Sequence, residues 1–357
     1  MQVFLDSMSY KAYIISNETE YSMKKSFIAT MHNQEVRELL KNQDNPSVRL
    51  QDIAWPSESL AQLGPISVGE CKRHLFYKIL GIPYTEPMSL RGRHICDNGI
   101  MYEESLINRY KKHKLYVDEQ FKIEFLIPEI SNDIIVSGKV DVIINDGGIK
   151  KAIEIKSVSG FKINEIFGDA KHLPLPRSGH LMQAVLYKYY LSHTLAGKKA
   201  GIDEVYLAYV DRGHGTLMYF KIELDSDLYP IITAIKEDGN IEHTIKMSEF
   251  PAFADFMDGS EIATTELGRI AELRFKATDI FTKFDNTYNY VHQKALPPKD
   301  YSVIYTEEDL LREFTCGRIS KLKYNQATKG KATYGDFKCN YCPYKTKCLN
   351  DSGMFLN

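Results

Sequence analysis

The chain has 357 residues, 43% hydrophobic and 26% charged, with a formal net charge of −2. That balance is ordinary for a folded globular protein and excludes disorder over most of the length. No stretch reaches the roughly 20 apolar residues a membrane-spanning helix needs, which argues against a membrane partner.

Single cores stop growing near roughly 250–300 residues, so there is room for one large domain or for a core with a second lobe. The N-terminus, MQVFLDSMSYKAYII, shows no basic segment followed by an apolar run and a small-residue cleavage site. An intracellular, cytoplasmic protein is therefore expected. Six cysteines in such a chain point to metal or redox chemistry more than to a disulfide framework. The near-neutral charge lacks the basic footprint common among nucleic-acid binders. Local clusters at Arg91 and Arg93, and at Lys111, Lys112 and Lys114, offer cationic groups, although a solvated helix face accounts for them equally well.

In chain order, residues 1–65 form a weakly patterned extension of unreadable role, ending in breaks at Pro56, Gly64 and Pro65. The stretch from Ser67 predicts a short helix with Ser67 as N-cap and Val68, Leu75 and Leu80 among its apolar positions, ended by Gly81 and Pro83. A second helix is expected over about 97–112, with Ile100, Leu106, Ile107 and Tyr110 on its apolar stripe. The period then changes, predicting strands over 119–127, 134–144 and 149–157, the last two joined by Asn145-Asp146-Gly147-Gly148, a strong hairpin signal. A helix at about 179–195 and a strand at 203–211 complete an αβββαβ order. That order predicts an α/β fold with a mixed central sheet flanked by helices, a core spanning 66–225. Residues 226–330 carry a helical pattern around EIATTELGRIAELRFKATDIFTKF and are expected to form an inserted helical lobe. The final segment, 331–357, is cysteine-rich and too small for a core of its own.

The hairpin carries the chemistry. Pairing through the Asp146-Gly147 turn brings Asp141 close to Glu154, while Glu154 and Lys156, two apart, share a face. They are embedded among Val140, Val142, Ile143, Ile144, Ile153 and Ile155, where an unpaired charge costs several kcal/mol. Cross-strand ion pairs on an exposed face are the plain structural alternative. Functionally, two carboxylates that hold divalent ions and a lysine that orients or helps deprotonate water are what phosphodiester cleavage asks for, and the Ile155 carbonyl adds a hard oxygen ligand.

Val140-Asp141 followed by Glu154-Ile155-Lys156 resembles the PD-(D/E)XK nuclease superfamily, without the usual proline. Gly99-Ile-Met-Tyr-Glu103 resembles the element that precedes the hairpin in RecB-like and phage recombination exonucleases, with glutamate in place of the RecB-like histidine; the resemblance implies that Glu103 is a further metal ligand. Glu104 points about 100° away on a helix and is read as solvated, and His94 as structural. In HLMQAVLYKYYL, Gln183 and Tyr187 stand at i, i+4 on one helix face and match the Q-x-x-x-Y motif of the RecB-like branch, whose residues face the active site and DNA.

Cys339, Cys342 and Cys348, with Cys71 ahead of the core, suit a cluster or a zinc ion. Their arrangement resembles the iron-sulfur staple of AddB, of the CRISPR-adaptation nuclease family and of the related eukaryotic nuclease-helicase. That resemblance implies a [4Fe-4S] cluster, with zinc as the alternative; Cys96 and Cys316 are left over. Such a cluster would tie together residues far apart in sequence. The resemblance covers about 66–211 and 336–349. It implies a Mg2+- or Mn2+-dependent deoxyribonuclease, an exonuclease on single strands or DNA ends in recombination, repair or replication. Alternatives are a structure-specific endonuclease or a DNA-end-processing subunit of a recombination or integration complex. No G-x-x-x-x-G-K-[ST] motif occurs, so any helicase activity would come from a partner.

Overall fold

The computed structural model describes residues 71–86, 90–127, 131–160, 163–250, 266–315 and 319–351. The 1–65 extension, the expected N-cap Ser67, Val68 and Cys316 lie outside them. The first described helix, α1, runs Lys72–Ile79 with Cys71 as its N-cap, so the cap falls four residues later than expected.

α2 (Leu90–Lys112) begins several residues ahead of the expected start. It leads into β1 (Tyr116–Ile127), β2 (Ser131–Asp146) and β3 (Ile149–Val158), all antiparallel neighbours. The β2–β3 turn leaves two residues, Gly147 (φ 61°) and Gly148 (φ 94°), in the left-handed region, the conformation tight hairpins require and glycine adopts without steric cost. The Asn145 side chain closes it by accepting the Gly148 N–H at 2.8 Å.

A crossover through α3 (Ile163–Phe167), α4 (Ser178–His193) and α5 (Leu195–Ala200) reaches β4 (Glu204–Asp211), which lies parallel to β3. The sheet then continues antiparallel through β5 (Leu217–Leu224), β6 (Pro230–Lys236) and β7 (Ile241–Lys246). Among the described residues the seven strands form one mixed sheet in sequence order. The expected α/β class with a mixed, helix-flanked sheet is what the structure has.

The stretch 226–330 departs from expectation. β6 and β7 extend the sheet where a helical lobe was anticipated. The helical pattern resolves into α6 (Glu266–Ala271) and α7 (Ala277–His292), separated at Lys276, whose N–H is capped by Asp279 at 2.8 Å. Both helices contribute to the main core through Ile270, Ile280, Phe281 and Phe284, alongside Leu181, Val185 and Tyr189 of α4, so they cover one sheet face instead of forming a lobe apart. On the opposite face α2 packs Leu106, Ile107 and Tyr110 onto Val142, Ile144, Ile153 and Ile155.

Four further helices follow: α8 (Glu307–Thr315), α9 (Lys321–Thr328), α10 (Phe337–Asn340) and α11 (Lys345–Asn350). The last two pack Cys339, Tyr344, Cys348 and Leu349 against Phe76 and Tyr77 of α1. No helix among the described residues is long and apolar enough to cross a membrane.

Candidate active site

The β2–β3 register pairs Val142 with Ile153, and the next step along both strands brings Asp141 to Glu154. There the ladder ends. Asp141 Oδ2 instead accepts the Ile155 N–H at 2.7 Å, so a side chain replaces a backbone acceptor where the two strands part. Strand alternation sends Ile153 and Ile155 to the α2 side and Glu154 and Lys156 to the α4 side. Lys156 Nζ donates to Glu154 Oε1 at 2.6 Å.

From α4, Gln183 and Tyr187 reach the same group. Gln183 Nε2 donates to Glu154 Oε1 at 2.7 Å and to the Tyr187 hydroxyl at 2.8 Å, and Tyr187 donates onward to the Lys139 carbonyl at 2.7 Å. This directed chain runs from α4 to both strands and fixes the orientation of the Gln183 amide. Gln183, Tyr187 and Glu154 are all buried. Glu154 Oε2, by contrast, is buried with no hydrogen-bond partner. A buried carboxylate oxygen left bare costs of the order of 1–3 kcal/mol and calls for a ligand that supplies positive charge or a proton.

Glu103 of α2 joins the group through charge and not through a bond to the triad. Its own partner is Gln120, whose amide donates to Glu103 Oε1 at 3.2 Å. Gln120 holds φ 54° inside β1, a left-handed conformation costing on the order of 1 kcal/mol in a non-glycine residue. Glu104, beside it, is exposed, as expected. A Cβ at Gly99 would meet only Ser157 Oγ, at 3.7 Å, which is ordinary contact. Glycine at the head of the G-x-x-x-E element is thus not sterically required.

The electrostatics follow from crowding. Burial, then the charges of Glu154 and Glu103, push the Asp141 carboxyl well above its ordinary range, against the pull of Lys156 and the Ile155 N–H. Burial followed by the Glu154 charge raises Glu103, and burial raises Glu154 despite Lys156. Burial alone would lower Lys156, but Glu154 and Asp141 outweigh it and hold the ammonium form. Three carboxyls that repel one another around one ammonium group fit a divalent cation by donor chemistry. Among the described residues no three His, Cys, Asp or Glu side chains stand in ready ligating geometry. In this conformation Asp141 Oδ2 and Glu154 Oε1 are turned to protein donors, leaving Glu154 Oε2 as a buried acceptor without a partner.

The four cysteines also gather. Burial, then Asp336 and the thiols of Cys71, Cys342 and Cys348, push Cys339 up to about 12. Cys342 is raised by burial and by Cys71 and Cys348. Arg73 reaches Cys348 Sγ at 3.5 Å. None of the four is in a disulfide, nor is the exposed Cys96. Four soft sulfurs in one neighbourhood, from the N-cap of α1 and from the last 20 described residues, suit a thiolate-bound metal by donor type, although they do not stand in ready ligating geometry.

His180 and Tyr209 escaped the sequence reading. Tyr209 is the register partner of Lys156 on β4, and His180 Nδ1 lies 2.8 Å from its hydroxyl. The signal was present: His180, Gln183 and Tyr187 fall at i, i+3, i+7. Gln120 gave no signal, because a left-handed residue within a strand is set by tertiary packing. Against α2 a groove of about 660 Å³ is lined by Met101, Tyr102, Ser105, Ser159 and Arg212. The chain matches no protein-family model, and no curated protein matches its sequence.

Proposed function

We propose that this site hydrolyses phosphodiester bonds of DNA with Mg2+ or Mn2+ held by Asp141, Glu154 and Glu103, with the Ile155 carbonyl as a further ligand. The observation that carries the reading is the bare, buried Glu154 Oε2 beside the raised carboxyl of Asp141, at the end of a hairpin that also presents Lys156. A divalent ion held there would supply charge that polarises the phosphodiester and activates water. Lys156, held as an ammonium group, donates to the attacking water or to a phosphate oxygen. Gln183 and Tyr187, buried and tied to Lys139, keep Glu154 fixed.

The resemblance to PD-(D/E)XK nucleases of the RecB-like branch supports the same reading, and within it the four cysteines hold a [4Fe-4S] cluster, or zinc, with a structural role. We favour an exonuclease on single strands or duplex ends. Incubation of the purified chain with linear and closed circular DNA in Mg2+ or Mn2+ tests this. Linear DNA is expected to shorten from its ends while closed circles persist. Nicked or linearised circles would replace the exonuclease by an endonuclease, and intact DNA of both kinds in both metals would overturn the reading.

A further inference from the structure

We propose that His180 contacts the substrate as a neutral imidazole, locked as its Nε2–H tautomer by Tyr209, and donates a hydrogen bond to a phosphodiester oxygen beside Lys156. The proposal rests on the phosphodiesterase reading above.

The register places Tyr209 directly beside Lys156 on β4, and the alternation of that strand turns the ring to the α4 face together with Leu207. Tyr209 is fully buried, and its hydroxyl has two partners: it accepts the Arg177 N–H at 3.1 Å and meets His180 Nδ1 at 2.8 Å. A buried hydroxyl proton needs an acceptor, and Nδ1 is the one available. Nδ1 is therefore bare and the ring proton sits on Nε2. The rings lie 5.6 Å apart at 33°, so Tyr209 also fixes the imidazole plane.

Nε2 has no protein partner among the described residues and is not fully enclosed, and the half-buried ring stands one turn before Gln183 on α4, so the N–H it carries is left for a ligand. Burial and the neighbouring charges of Lys156 and Arg177 hold His180 down to about 3, so the ring stays uncharged at neutral pH. A neutral donor next to an ammonium group adds a hydrogen bond toward an anion without adding like-charge repulsion. Asp141, Glu154 and Glu103 take the cation side of the site, and Lys156 with His180 make the donor side, the division a phosphodiester demands.

The test measures kcat and KM on a 5′-labelled single-stranded oligodeoxynucleotide with Mg2+, for the full-length wild type, His180→Ala, His180→Gln and Asp141→Ala. Nitrogen-15 spectra of the wild-type imidazole accompany it. We expect an Nε2–H, bare-Nδ1 signature and a loss of about tenfold to a hundredfold in kcat/KM for His180→Ala. His180→Gln, whose amide N–H reaches the Nε2 position, is expected to recover most of that loss with an unchanged melting curve. An active wild type with a dead Asp141→Ala and an unaffected His180→Ala overturns the His180 role alone. The Nδ1–H tautomer, or a Gln variant as poor as Ala, overturns it as well. An inert wild type removes the phosphodiesterase reading and this role together.

Discussion

The hairpin site and the cysteine site are assembled by opposite means. Asp141 and Ile155, which meet where β2 and β3 part, are 14 residues apart in sequence, and the register of one hairpin sets their contact. Arg73 and Cys348 are 275 residues apart. Nothing local brings them together. Around them Tyr77 donates to Asp351 at 2.8 Å, Lys72 N–H reaches Asp300 at 2.7 Å, and the Thr346 N–H is accepted by Glu86 at 2.9 Å. The first site stores repulsion in a rigid frame. The second closes a loop across nearly the whole described chain, where each bond offsets loop-closure entropy. A substitution in the hairpin is therefore expected to change chemistry more than stability, and one among the cysteines the reverse.

Lys156→Ala gives the largest expected effect, a fall in DNA cleavage on the order of a thousandfold, with circular dichroism close to wild type and a lowered melting point where Glu154 loses its ammonium partner. Cleavage retained within about tenfold would break the contrast at its functional end. On the proposal that the four thiols hold a metal, Cys339→Ser is expected to lose it together with about 4 kcal/mol of stability. Denaturant unfolding together with iron and zinc analysis reads this. Unchanged stability in a metal-free variant would show that the thiols do not staple the fold.

A subtler effect concerns pH. A carboxyl whose folded pKa lies above its unfolded value penalises the fold once it ionises; the penalty is absent below the unfolded value and complete above the folded one. Asp141 is raised in this sense. In chelator the protein is therefore expected to lose stability as pH rises through that window, Asp141→Asn to melt higher than wild type at neutral pH, and Mg2+ to remove the difference. Melting curves with chelator and with Mg2+ check the order; a lower-melting Asn variant in chelator would contradict it. Smallest of all, Gly99→Ala is expected to leave cleavage intact and to add about 0.5–1 kcal/mol through helix propensity, since the added methyl meets only Ser157.

The same split between local and distant governs what the sequence made legible. The β2–β3 hairpin announced itself through Asn145-Asp146-Gly147-Gly148, and α4 through the spacing of Gln183 and Tyr187, because each signal lies within one turn or one helix face. β6 and β7 were missed although Asp238-Gly239 stands between them with the Gly239 N–H bonded to the Lys236 carbonyl, a hairpin signal overshadowed by the helical period further on. The chain from Lys139 through Tyr187 and Gln183 to Glu154, the left-handed Gln120 and the Tyr209–His180 contact depend on strand order and crossover, which no short window encodes.

The assignment of Asp141 and Glu154 as metal ligands is tested most directly by calorimetric titration of Mn2+ into the chelator-treated wild type and into Asp141→Ala. Saturable binding at the hairpin in the wild type, lost or strongly weakened in the variant, is the expected result; equal binding in both, or none in the wild type, would contradict it.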